Sequence, residues 1–168
     1  MPQVAAAEAL LQSVAQATVS QVALLPASMG RSYSRTTLLK QIVSDRLELA
    51  GGHLRTADSL AQAMSYRSSI SRYYYSMYHA ARAIAFGFHK GDDYQRHFVL
   101  PSNLPPSLTN VARWTNELNN ARLVRNMADY DIYPRAANEW KNDSVNLAVV
   151  ASEFLPECED FAMNAGLI

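Results

Sequence analysis

The sequence predicts an all-α protein made of four packed helices with one additional helix in front of them. Three observations support this fold class. Apolar residues recur at three- and four-residue steps in several long segments, which is the pattern of helices that each bury one stripe. Hydrophobic residues make up 49% of the 168 residues, which is enough for a core. Six glycines and seven prolines are too few for a β protein with many turns.

The composition also limits the class of function. Fifteen basic residues balance fifteen acidic ones, which argues against a general electrostatic nucleic-acid binder but allows a local basic patch. The single cysteine, Cys158, excludes an internal disulfide and a cysteine cluster for zinc. There is no run of about 18 apolar residues and no basic leader. We therefore expect a cytoplasmic protein without a membrane span.

Residues 1–35 are predicted to form a helical extension and linker, and residues 36–168 the bundle. The extension contains a helix from about Val4 to Leu25, ended by Pro26. This helix carries one charge, Glu8. Because so few charges keep it in solution, we expect it to bury one face on the bundle or on another chain. A mobile extension is the alternative.

The bundle helices follow from their buried stripes. The first helix keeps a near-heptad stripe through Gly51-Gly52, where a kink or a close helix crossing is expected. The second has the most regular apolar pattern in the chain. The expected elements are a helix from Thr36, a helix over about Ser68–Phe88, a loop over His89–Leu104, a helix from Pro105-Pro106, and a last helix over about Arg135–Met163.

The second bundle helix carries a polar face opposite its apolar stripe. Arg72, Tyr75, His79 and Arg82 stand at i, i+3, i+7 and i+10, so they share one side of the helix. The sequence leaves three interpretations open for this face. It is a solvated surface, a dimer contact, or the wall of an anion site.

The end of the third bundle helix concentrates charged and phenolic side chains. Arg122, Arg125 and Asp129 fall at i, i+3 and i+7, on a face beside the apolar stripe. The proline that ends residues 129–134 predicts a turn there. The simplest interpretation is a salt-bridged helix end. In it, Arg125 pairs with Asp129 one turn later, or with Asp131, and so holds the turn in place.

The spacing of the residues does not indicate a metal site or a cofactor site. A carboxylate-bridged pair of metals needs Glu-x-x-His on two helices, and this spacing is absent. No glycine-rich phosphate loop occurs. The four histidines form neither a His-x-x-His nor a His-x-x-x-His pair. They are His53, His79, His89 and His97. No metal and no cofactor is expected.

Two segments together resemble the HEPN domain (higher eukaryotes and prokaryotes nucleotide-binding). They are SISRYYYSMYHAARAIAF and, about forty residues later, ARLVRNMADYD. The similarity is closest to an uncharacterised prokaryotic branch with the patterns S-R-x-Y-Y-x-x-[FY]-H-A-A-R-A and R-x-x-A-D-Y-D. The loop RHFVLPSNLP also resembles the His-plus-LP segment of that branch. The resemblance covers about residues 36–165.

This resemblance implies a HEPN-like up-and-down four-helix bundle, here with an additional N-terminal helix, that forms a homodimer. Many relatives are metal-independent endoribonucleases, often toxins of toxin–antitoxin pairs or defence effectors, with an Arg-x(4–6)-His motif at the dimer interface. The catalytic candidates it implies are Arg125, Asp129, Tyr130 and His79. The candidates for substrate binding are Arg122, Arg125, Arg72, Arg82 and Asp131.

The motif departs from the catalytic pattern of those relatives. Tyr130, Asp131 and Ile132 stand where the histidine is expected after Arg125. Attack by a 2′-hydroxyl needs a base and an acid that work near neutral pH, and imidazole, with a pKa of about 6.5, is suited to this. We therefore expect RNA cleavage to be absent or very slow unless His79 supplies the imidazole.

Two functions follow as expectations. In the first, the protein binds RNA or a nucleotide through Arg122 and Arg125, since the guanidinium fork suits phosphate. In the second, it is a non-catalytic interaction partner of a nucleotidyltransferase or of another defence component.

Overall fold

The computed structural model of the chain describes residues 2–29, 33–132 and 135–168, and it confirms an all-α protein. One 3₁₀ turn, Leu100–Asn103, lies in the loop between the fourth and fifth helices. The helices are α1 Pro2–Ala15, α2 Val19–Ala23, α3 Arg35–Gln62, α4 Tyr66–His89, α5 Val111–Tyr130 and α6 Ala137–Asn164. No described helix is long and apolar enough to cross a membrane.

Helix α4 is the centre of the bundle, because α3, α5 and α6 all pack against it. Its predicted stripe is buried over most of its length: Ile70 and Ile84 are fully buried, whereas Phe88 at the end is exposed. The stripes of α5 and α6 are buried as well, with Trp114 packed against Phe154 at 4.9 Å between ring centroids. The four predicted bundle helices are therefore present and share one core.

The single N-terminal helix predicted over residues 4–25 is wrong, because the structure has two helices there. Thr18 begins α2 with a capping box: its hydroxyl accepts a hydrogen bond from the Gln21 amide, and the Gln21 side chain accepts one from the Thr18 amide. In a continuous helix, the backbone amides of Thr18 and Gln21 would donate to helix carbonyls. Here they donate to side-chain oxygens, so a new helix begins at this point. Val14 and Val22 are buried, so the expected packing of this segment onto the bundle is confirmed.

Gly91 allows this N-terminal segment to approach the loop after α4. A Cβ atom at Gly91 would lie 2.3 Å from the amide nitrogen of Val19, which no side chain tolerates. The two residues after Gly91 form hydrogen bonds with the N-terminal segment. The Asp92 amide donates to the Ala17 carbonyl at 2.9 Å, and the Asp93 carboxylate accepts from the Val19 amide at 2.6 Å.

Two further expectations are corrected. The prolines at 105 and 106 do not begin the third bundle helix, since α5 begins at Val111 after Asn110, whose φ of 54° breaks the helical path. Buried Leu104 and Leu108 tie the intervening loop to the core instead. The linker also contains a short antiparallel pairing, in which Ser28 and Met29 stand opposite Ser34 and Tyr33.

Two other expectations concern the glycine pair and the turn after α5. Helix α3 continues through Gly51-Gly52, and a Cβ atom on Gly51 would contact Leu155 of α6 at 3.9 Å, which fits the predicted close crossing. The turn was predicted over residues 129–134, and helix α5 ends within this range, at Tyr130. Residues 133 and 134 lie outside the described residues.

Candidate anion-binding site

Three histidines that are distant in sequence come together on one side of α4. His53 of α3 stacks on His79 of α4 with ring centroids 5.2 Å apart. His97, from the loop between α4 and α5, stacks on Tyr78 at 4.3 Å. Tyr75 lies between them, 5.7 Å from His53 and 6.3 Å from His97. We call these three histidines, together with Arg72, Arg122 and Arg125, the arginine–histidine face.

Arg125 is held firmly within this face. Its Nε lies 2.8 Å from the Asp129 carboxylate, so the predicted pairing one turn along the helix is present. Its Nη2 donates to the Tyr75 hydroxyl at 2.7 Å. The guanidinium also lies 5.3 Å from the ring centroids of both Tyr75 and Tyr130. The contacts of Arg125 thus serve to join α4 to the end of α5.

Arg67 fixes the end of α5 from the first turn of α4. Its Nε donates to the carbonyl of Ala128 at 2.7 Å, and its Nη2 donates to the carbonyl of Asp131 at 2.9 Å. The positive charge of Arg67 at the C-terminal end of α5 also interacts favourably with the helix dipole. The Ser71 hydroxyl donates to the Asp129 carboxylate from the same side. Sequence reasoning missed Arg67, because only the packing of α4 on α5 shows what it contacts.

Arg122 and Arg72 are the cations of this face that have no ion-pair partner in the described part of the chain. Within the described residues, Arg122 forms no ion pair or hydrogen bond, and its Nε is buried without a partner. Arg72 is exposed, and its one polar contact in the described chain is a 3.4 Å approach to Nδ1 of His53. Both guanidiniums therefore remain able to bind an anion.

Arg82, the fourth residue of the predicted polar face, belongs to a different cluster. It forms a two-bond pair with Asp92, whose carboxylate also lies 3.1 Å from Arg46. Burial lowers the pKa of Arg46 to about 10, while the Asp92 charge opposes this shift. This buried triad joins α3 and α4 to the following loop. The predicted face is thus divided between the arginine–histidine face and a structural ion cluster.

The histidines of the face are held in their neutral form at neutral pH. Burial, followed by the charges of His53 and of arginines that include Arg82, lowers the pKa of His79 to about 4. Burial and then Arg125 lower the pKa of His97. Burial and then Arg72 lower the pKa of His53. Burial is the largest cause of all three shifts, and the nearby cations add to it because they disfavour further positive charge.

The remaining predicted site residues lie around this face. Tyr130 is 70% exposed and packs beside Arg125. Asp131 follows the last turn of α5, with its carbonyl bonded to Arg67. His79 is on the same side of α4 as Tyr75, at 6.3 Å between centroids. The structure therefore brings the other predicted residues together, leaves Arg82 beside the face in its pair with Asp92, and adds His53 and His97. No role for His97 could be predicted from the sequence, because its neighbours come from other segments.

Within the described residues, no group of three or more histidine, cysteine, aspartate or glutamate side chains is arranged to hold a metal ion. Comparison with family models and with curated proteins gives no match for this chain. Fold and site together define the class of protein: an all-α bundle in which α3, α4, α5 and the loop after α4 form a cationic, histidine-containing face.

Proposed function

We propose that this chain is a HEPN-like helical bundle that binds a phosphate group of RNA or of a nucleotide at the arginine–histidine face. The observation that carries the proposal is Arg122, a guanidinium without a partner in the described chain, beside neutral imidazoles. Arginine presents a planar set of donors that matches phosphate oxygens.

Aromatic side chains next to the cations favour a nucleic-acid ligand over a simple anion. The Tyr130 ring is 70% exposed and lies against Arg125, and the Tyr75 ring is partly exposed between the histidines. Bases of single-stranded RNA stack on such rings while arginines contact the backbone. The ligand class that fits this surface is therefore a nucleotide or an unpaired RNA segment.

Binding without efficient cleavage is the expected activity. No imidazole stands at positions 130–132, and His79, with a pKa of about 4, is a weak base near neutral pH. If the protein is active, it acts as a metal-independent endoribonuclease at a low rate. The resemblance of the two motifs to HEPN proteins supports a role in a toxin–antitoxin or defence system.

The same resemblance supports a homodimer that brings two copies of the Arg125–Asp131 segment together. Light scattering at micromolar concentration tests this assembly. A species of twice the chain mass is expected, and a particle that stays at 18.6 kDa contradicts it.

A second candidate function is a non-catalytic interaction partner, for example of a nucleotidyltransferase. One observation favours it: large apolar side chains are exposed on α5 and just after its end. Leu123 and Met127, one turn apart on the helix, and Ile132 are exposed to 53%, 36% and 81%. Exposed apolar residues that cluster often contact another protein.

The binding proposal is tested by fluorescence anisotropy with a labelled single-stranded RNA at low salt, comparing the protein with two variants. Arg122→Ala is expected to weaken binding by about tenfold, because a guanidinium–phosphate contact is lost. Arg113→Ala removes an exposed arginine of the same helix that pairs with Glu153, and it is expected to bind like the parent. Equal weakening by both variants would indicate a non-specific effect of charge and would contradict the site.

A further inference from the structure

His97 is the one imidazole of the face that is both oriented by the protein and open to a ligand. Its Nδ1 lies 2.5 Å from the hydroxyl of Tyr74, and its ring stacks on Tyr78. His97 itself is an exposed residue, and no hydrogen bond within the described chain involves its Nε2. His79, by contrast, is half-buried, with its ring stacked on His53.

The contact with Tyr74 suits either charge state of the imidazole. A tyrosine hydroxyl donates to Nδ1 when the ring is neutral and accepts from Nδ1–H when the ring is protonated. Burial raises the pKa of Tyr74 well above the usual range, so its proton stays on the hydroxyl in both cases. The orientation of His97 is therefore kept while Nε2 changes its partner or the ring gains a proton.

The charges around His97 are mostly positive. After burial, the causes that lower the pKa of His97 are the charges of Arg125 on α5, Arg82 on α4 and Arg122 on α5. The other titratable groups near it are Tyr74, Tyr75, Tyr78 and His79 on α4, while Asp129 and Asp92 already pair with Arg125 and Arg82. An anion bound beside Arg122 would oppose these positive charges and so favour the protonated ring.

We propose that His97 is a phosphate-contacting residue, whose Nε2 faces the bound phosphate and whose ring takes up a proton when the phosphate binds. This inference rests on the proposed function and adds a site residue and a pH dependence to it. The recognised chemistry is a phosphate group, carried either as the terminal group of a nucleotide or as a phosphodiester within RNA.

The test follows the imidazole resonances of the full chain by NMR across about pH 5 to pH 8, the range in which histidines titrate. The probes are AMP, an RNA hexamer without terminal phosphates, and adenosine as the uncharged control. AMP is expected to raise the pKa of His97, and each unit of increase corresponds to about tenfold tighter binding at low pH. Adenosine should leave the pKa unchanged. The hexamer arm distinguishes an internal phosphodiester from a terminal phosphate.

Variants separate contact by His97 from general folding effects. His97→Gln keeps a polar side chain and is expected to lose most of the pH dependence of AMP affinity. Tyr74→Phe removes only the positioning hydroxyl, so it should weaken binding while the pH dependence remains. His89→Gln changes a histidine that bonds to the Asn103 carbonyl outside the face, and its binding profile should match that of the parent.

Two results would contradict the role of His97 without contradicting the proposed function. One is AMP binding with an unchanged His97 titration, and the other is a His97→Gln protein with the parent's pH profile. If the parent binds neither AMP nor the hexamer at low salt, the proposed function fails together with this inference.

Discussion

At the scale of single residues, two arginines three positions apart have different environments. Arg125 bonds to Tyr75 and Asp129, whereas Arg122 has no partner in the described chain. The helical spacing of the sequence placed both on one side of α5. It could not distinguish them, because Tyr75 comes from α4 and its contact depends on how the helices pack. The same limit explains why His97 received no role from the sequence.

This difference predicts opposite effects for two alanine substitutions. Arg125→Ala should lower the free energy of unfolding by about 1–3 kcal/mol, since it breaks charge-assisted hydrogen bonds in a partly buried site. Arg122→Ala, its matched control on the same helix, should change stability by less than about 0.5 kcal/mol. Urea denaturation measures both. An Arg125→Ala protein as stable as the parent would show that the guanidinium has no scaffold role.

His79 predicts how stability depends on pH. In the unfolded chain it accepts a proton near its usual pKa of 6.5, but in the folded protein only near 4. Between these values the unfolded state binds more protons, so stability should fall as pH is lowered from 6.5 toward 4. Partial solvent screening keeps the slope below the full value for a buried group. Urea midpoints measured across this range should depend less on pH in His79→Gln, and an unchanged dependence would exclude His79 as the cause.

At the scale of helices, sequence periodicity predicts which residues of a helix are buried. It does not predict helix ends that depend on other signals or on contacts with distant segments. The stripes of α4 and α6 place residues such as Ile84 and Phe154 in the core as expected. The break between α1 and α2 has a local signal, the capping box of Thr18 and Gln21, which the apolar periodicity of residues 4–25 obscured. The bonds of Asp92 and Asp93 that hold this segment come from a loop more than seventy residues later and could not be predicted. The start of α5 was placed too early because Pro105-Pro106 is also compatible with the beginning of a helix.

The ion cluster at Asp92 gives a prediction at this scale. Asp92→Asn leaves Arg46 and Arg82 without a counter-charge inside the protein, so unfolding free energy should fall by about 3–5 kcal/mol. Asp93→Asn is the neighbouring control, because its exposed carboxylate bonds only to the amide of Val19 in the described chain. Its loss should be near 1 kcal/mol, as for a helix cap. If chemical denaturation shows the same loss of unfolding free energy for both variants, burial of the triad does not add to stability.

At the scale of the whole molecule, the protein has two cationic regions although its net charge is zero. One is the arginine–histidine face. The other is a cavity of about 440 Å³ at the far end of α4, lined by Arg35, Lys40 and Lys90 around an apolar floor. Tyr75 and Gly87 are twelve residues apart on α4, so the two regions are about 18 Å apart along its axis. The protein therefore has two regions at which an anion can be tested for binding.

The missing motif histidine gives a prediction about the whole protein's activity. The parent should cleave RNA slowly or not at all, because an acid–base group of matched pKa contributes about 10²–10⁴-fold. Tyr130→His places an imidazole beside Arg125, at the first position that the Arg-x(4–6)-His spacing allows, and should increase cleavage. Gel assays with labelled RNA measure it. Robust cleavage by the parent that His79→Ala abolishes and Tyr130→His leaves unaffected would assign the chemistry to α4 instead.

The central claim is that the arginine–histidine face binds phosphate, and amide NMR mapping during titration with AMP tests it most directly. We expect shift changes to concentrate at Arg72, His97 and Arg122, with adenosine producing much smaller ones at the same concentration. Shift changes that concentrate instead at Arg35, Lys40 and Lys90, or that are absent throughout at low salt, would contradict this account.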